Sequence, residues 1–182
     1  MRLNHTSWNQ RGSSEHGEVP TRKAEQVIRR LKELNGGSVI PVPVEEIAFL
    51  CGYRIYWLST LPDELSGVVD REKRLIAVNA RHAPTRRRFS VAHELGHILL
   101  RHPPESGCSA PEIRKWNREA DRFAAELLIP SEDVLEQCCT SDFYQLLRRY
   151  RVSAGALKKK LATLGISPTS NPAFGSYHRR RQ

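Results

Sequence analysis

Two histidines and a glutamate interrupt an apolar run in "RRRFSVAHELGHILLRH", residues 86–102. His93 and His97 are four residues apart, so on a helix they project side by side from one face. At that spacing two imidazoles can share one zinc ion, each at about 2.0–2.1 Å. Glu94 follows the first histidine and points away from such an ion, yet it reaches a water bound on it. Zinc lowers that water's pKa toward about 7, and the carboxylate can take its proton as the water attacks a carbonyl. This is the HExxH pattern. The competing reading is a buried helix whose histidines are satisfied by backbone or water.

A catalytic zinc site has three protein ligands as a rule, so a third is needed. His102 lies close in sequence, but HExxHxxGxxH needs a glycine where Leu100 stands and a histidine where Pro103 stands. On a continued helix His102 falls about 140° from His97, which leaves it the role of a helix-end histidine facing the dipole. The stretch "NREADRFAAELLIP" offers Glu119 and Glu126, both on the rim of a stripe made by Ile113, Trp116, Ala120, Phe123 and Leu127. Periodicity barely separates the two, and either could be a solvated glutamate on an amphipathic helix. Asp121 lies on the other flank, either a surface residue or an acceptor for a ligand imidazole.

The rest of the chain must position these groups. It has 182 residues, 39% hydrophobic and 27% charged, enough for one domain with a real core. No run of about 18 apolar residues occurs, so no membrane span is expected. The first twenty residues lack the apolar centre of a secretory signal. Cys51, Cys108, Cys138 and Cys139 include no CxxC pair, so reduced thiols and a cytoplasmic setting are expected. A polar leader over 1–20 precedes a helix with Ala24, Val27, Ile28, Leu31 and Leu34 at helical spacing, stopped by Gly36-Gly37. "PVPVEEIAFLCG" predicts a short helix, "YRIYWLS" a strand, and "SGVVD" with "RLIAVNA" a hairpin about Arg71-Glu72-Lys73. The active helix begins near Pro84 or Thr85. A Pro/Ser/Gly loop leads to the helix carrying Glu119, closed by Pro130, and Ser131-Glu132-Asp133 opens another.

"RRRFSVAHELGHILLRH" followed by "NREADRFAAELLIP" resembles the ImmA/IrrE family of zinc metallo-endopeptidases. So does the upstream layout, with "LSGVVDREKRLIAVNA" leading into the active helix; the likeness covers about 21–165. It implies a zincin-like α+β fold, a small and mostly antiparallel sheet packed on the HExxH helix. It implies that His93, His97 and Glu119 bind one Zn²⁺, and that Glu94 is the catalytic base. Glu119, not Glu126, matches the family's third ligand. Asp121 stands where the family has Asn and Ile129 where it has Met; neither change removes a ligand. By the same likeness strand 74–80 is an edge strand that can take up substrate by strand addition. An oxyanion stabiliser is expected too, and His82, Tyr144 and Tyr150 are its candidates.

Residues 21–140 are thus assigned to a peptidase domain and 141–165 to a helix-turn-helix-like segment, with a basic tail over 166–182. In that segment Leu146, Leu147, Tyr150, Val152, Leu157 and Leu161 supply apolar positions and Ser153 a cap. Lys158, Lys159, Lys160 and the tail's Arg179, Arg180 and Arg181 could meet DNA, consistent with the net charge of +9. Packing on the peptidase core is the other reading, and the resemblance favours it. Function divides likewise. One reading is a cytoplasmic zinc endopeptidase whose protein substrate is a helix-turn-helix repressor, cut to derepress stress or mobile-element genes. The other is a DNA-binding regulator or toxin-antitoxin component that retains the fold.

Overall fold

The computed structural model describes residues 20–166. The expected leader, apart from Pro20, and the expected tail, apart from Ile166, lie outside the described residues, as do Arg179, Arg180 and Arg181. Helix α1 (Pro20–Asn35) buries Ala24, Val27, Ile28 and Leu31 on one stripe, and the chain leaves it through Gly36 at φ +67°. Leu34, placed on that stripe by spacing, is exposed instead, one residue before the helix end. Helix α2 (Val44–Leu50) ends before Gly52, whose φ of +81° turns the chain into β1 (Arg54–Leu58).

β2 (Gly67–Asp70) and β3 (Leu75–Asn79) form the expected antiparallel hairpin, in register from Gly67↔Val78 to Asp70↔Leu75. β1 adds in parallel on the other side of β3, pairing Arg54↔Leu75 through Leu58↔Asn79. The strand order is β1-β3-β2. Two expectations are corrected here. The sheet is mixed, not mostly antiparallel, and strand 75–79 is its centre, not its edge. The central position suits its composition, because Ile76, Ala77 and Val78 are all buried. The edge strands that follow from the pairing are β1 and β2.

Helix α3 (Pro84–Leu99) carries HExxH and lies against β2 and β3 on one side and α4 (Ala110–Leu128) on the other. α4 opens with a capping box in which Ser109 and Glu112 satisfy each other's backbone groups. α5 (Ser131–Gln137), α6 (Phe143–Tyr150) and α7 (Ala154–Thr163) complete an α+β fold of seven helices and three strands among the described residues. Ser153 caps α7, accepting from the Ala156 amide as the sequence suggested. Phe143, Leu146, Tyr150, Leu157 and Leu161 join the same core as α1, α3 and α4, so the C-terminal helical pair packs on the domain.

Lys160 shows how tightly. Only 8% exposed, it donates to Glu126 of α4, whose carboxylate also accepts from the Ser131 amide and hydroxyl at 2.8 Å each. Among the described residues no helix is long and apolar enough to cross a membrane, and no disulfide joins the cysteines.

Candidate metal centre

The site starts from how closely two helices approach. Gly96 of α3 meets Ala120 of α4, and a Cβ on Gly96 would stand 3.0 Å from Ala120 Cα. A larger residue at either point would push the helices apart, so these two side chains set their separation. The crossing presents residues 117–121 of α4 to the histidines of α3.

His93 and His97 stand one turn apart with their Nε2 atoms facing at 3.0 Å. His93 Nδ1 donates to Asp121 Oδ1 at 2.8 Å, which leaves Nε2 as the ring's forward atom. Asp121 therefore has the acceptor role that the sequence left open. The side chain of Asn117, which sequence reasoning did not single out, hydrogen-bonds both imidazoles. Arg71, in the β2–β3 turn, donates to the His97 carbonyl at 2.8 Å and ties the hairpin to this end of α3.

Electrostatics divides the pair. Burial works against a charge on His93, but the hydrogen bond to Asp121 and the charge of Glu94 outweigh it and raise its pKa. His97 is pushed down to about 4 by burial, with His93 and His102 adding to the effect, so its ring is neutral at pH 7. The surroundings thus favour the charged form of His93 and the neutral form of His97. Two imidazoles on one tetrahedral zinc would hold their nitrogens about 3.3 Å apart, so the donor set and its spacing fit that ion.

Glu94 is 8% exposed. Burial lifts its pKa to about 7, although His93 and Arg71 pull the other way. Gly67, the first residue of β2, lies beside it: a Cβ there would be 3.3 Å from Glu94 Oε1. The β2 edge of the sheet therefore begins against this carboxylate.

Glu119 and Glu126 are separated plainly. Glu126 is buried with Lys160 and Ser131, away from the histidines. Glu119 stands at the histidine cluster, where its Oε2 accepts from His102 Nε2 at 3.1 Å and its Oε1 lies 3.9 Å from Lys115 Nζ. Among the described residues no three His, Cys, Asp or Glu side chains are drawn together into a formed metal cage. The structure therefore brings His93 and His97 together and places Glu119 one imidazole away.

That imidazole is the main correction to the sequence reading. His102 does more than end the helix and face its dipole: it is 5% exposed, stacked on Trp116 with centroids 6.1 Å apart, and its Nδ1 lies 3.2 Å from His97 Nδ1. The helical wheel misplaced it because the helix stops first. Arg101 adopts a left-handed φ of +59°, and the Arg101 and His102 amides turn back onto the carbonyls of Ile98 and His97. This is a Schellman ending with arginine at the position glycine usually fills. A glycine there would have announced the turn; the arginine concealed it.

Of the oxyanion candidates, Tyr150 donates to Asp133 at 2.7 Å within the α5–α6 packing, and His82 donates to the Asp63 carbonyl at 3.1 Å. Neither is drawn to the histidine pair. Tyr144 sits on α6 beside Phe143.

The family described as the IrrE N-terminal-like domain, a peptidase family, matches residues 54–162. The chain belongs to it. The match runs from β1 to the last turn of α7, so it takes in both the sheet and the C-terminal helical pair. No curated protein matches the chain. Its fold is similar to that of a Mycobacterium tuberculosis transcriptional regulator, with TM-score 0.56 and 16% identity, covering 76% of this chain and 46% of that one. The chain spans less than half the length of that regulator.

Proposed function

We propose that the chain is a zinc-dependent endopeptidase acting on a protein substrate. The observation that carries this reading is the His93–His97 pair, its Nε2 atoms facing at 3.0 Å beside the buried carboxylate of Glu94. His93 and His97 would hold the metal, and Glu119 would supply the third ligand through the carboxylate oxygen that His102 leaves open. When bound, zinc supplies a Lewis acid for the scissile carbonyl and a water of pKa about 7. With a pKa raised to about 7, Glu94 is poised at neutral pH to take a proton from a water and return it to a leaving amine. Asp121 orients the His93 ring. The free edge of β2 offers backbone groups to an extended substrate, and Gly67 lets that strand run beside Glu94. This edge takes the role that the sequence reading gave to strand 74–80. The family resemblance directs the search for the substrate to a helix-turn-helix repressor in the cytoplasm.

A regulator that retains the fold is the second reading. It is supported by the likeness to the mycobacterial transcriptional regulator and by the exposed Lys158 and Lys159 on α7, the second helix of the C-terminal pair. The deciding experiment compares the parent chain with Glu94→Gln, measuring zinc content and cleavage of a repressor encoded beside it. Both proteins should bind one zinc, because Glu94 is not a ligand. The variant should cut about 10²–10⁴-fold more slowly. Normal cleavage by Glu94→Gln would end the assignment of the base. A repressor left intact while its DNA binding changes would hand the function to the regulator reading.

A further inference from the structure

We infer that His102 is a positioning residue that orients His97 and Glu119 together through the two nitrogens of one ring. The inference rests on the zinc reading above and adds a residue to it. A carboxylate can only accept, so the 3.1 Å contact with Glu119 Oε2 requires the proton of His102 on Nε2. His102 Nδ1 is then a lone pair. It faces His97 Nδ1 at 3.2 Å, and a hydrogen bond there requires His97 to carry its proton on Nδ1. His97 Nε2 is consequently bare and aimed at His93 Nε2.

On the other side Asp121 accepts the Nδ1 proton of His93 directly. Two carboxylates of α4 thus reach the two imidazoles from behind, Asp121 in one step and Glu119 through His102. The ring that transmits the second of these is held in place from three sides. It is buried, it stacks on Trp116, and its backbone amide closes the Schellman turn onto His97 itself. The same hydrogen bond occupies Glu119 Oε2 and so decides which oxygen of that carboxylate remains for a metal.

The test has two arms on the full 182-residue chain. Long-range ¹H–¹⁵N correlation of the metal-free protein reads tautomers without any substitution. Protons on His102 Nε2 and His97 Nδ1 are expected, and the opposite tautomers would overturn the inference. The second arm measures zinc affinity by chelator competition and the absorption bands of bound Co²⁺. His102→Phe keeps the ring against Trp116 but loses both hydrogen bonds. It should bind zinc about 10–100-fold more weakly and shift the Co²⁺ bands. His102→Gln, which can still donate to Glu119, should recover part of the loss. Parent-like affinity and Co²⁺ bands in His102→Phe would overturn the role of His102 and leave the zinc reading standing. A parent chain that binds no zinc would overturn both. If His102→Phe does not fold, the tautomer measurement alone decides.

Discussion

Gly96 of α3 lies against Ala120 of α4 so closely that a Cβ on Gly96 would stand 3.0 Å from Ala120 Cα and 3.2 Å from its Cβ. Asp121, the next residue, reaches His93, three residues before Gly96. The contact and the hydrogen bond are therefore consequences of one crossing. Gly96→Ala should destabilise the fold by about 1–3 kcal/mol, the usual cost of overpacking. It should also weaken zinc binding by moving Asp121 off His93. Urea unfolding and zinc titration of the same variant check both, and unchanged zinc binding would separate the crossing from the site.

The two glutamates of α4 should fail in different ways. Glu119→Gln should weaken zinc binding with little effect on the metal-free fold, because a neutral amide oxygen is a poorer ligand. Glu126→Gln should leave zinc binding intact and cost about 3–5 kcal/mol, because it strands Lys160 in the interior without its anion. Paired measurements of zinc affinity and unfolding midpoint distinguish them; exchanged phenotypes would contradict the geometry.

In the metal-free protein Glu94 should make stability fall as pH rises. Its folded pKa is raised from an ordinary 4.5 to about 7 by burial. Its contribution is complete below the unfolded value and is lost between the two values as the buried carboxylate ionises. Metal-free Glu94→Gln should therefore gain on the parent from pH 5 to pH 8, by no more than about 3 kcal/mol. Equal pH slopes for the two proteins would show that Glu94 is solvated when the metal is away.

Asp133 should do the opposite. Burial opposes its charge, but Arg149 and Tyr150 donate to it at 2.5–2.7 Å and hold its pKa below the ordinary carboxylate value. Its contribution is present above the unfolded pKa near 4 and is lost as pH falls through the folded one. Asp133→Asn should cost about 1–3 kcal/mol at pH 7 and little in strong acid, read from urea midpoints across the acid range. A difference that persists undiminished in acid would refute it.

Much of this was legible locally. HExxH, the Pro84 start of α3, the β2–β3 hairpin and the Ser153 cap each depend on residues within one element or one turn, and each was found where spacing put it. What spacing could not supply was partnership across the chain. Alternation marked "YRIYWLS" as a strand, but not that it would join β3 in parallel and make that strand central. Glu119 and Glu126 share one helical rim; their partners tell them apart, His102 on the first and Ser131 with Lys160, far along the chain, on the second. His102 escaped for a different reason. Its place depends on a left-handed arginine, and nothing in the side chain of Arg101 advertises that conformation.

The burial of Lys160 also limits where this protein can be shortened. α6 and α7 resemble a detachable appendage when drawn along the sequence. Yet a chain ended before Lys160 would leave Glu126 charged inside the domain, with Ser131 as its remaining hydrogen-bond donor. It would also uncover the core surface now closed by Leu157 and Leu161. Truncation at the α5–α6 junction should accordingly yield insoluble material, in contrast to the full 182-residue chain. Expression of the two lengths side by side would show whether the helical pair is cargo or keel.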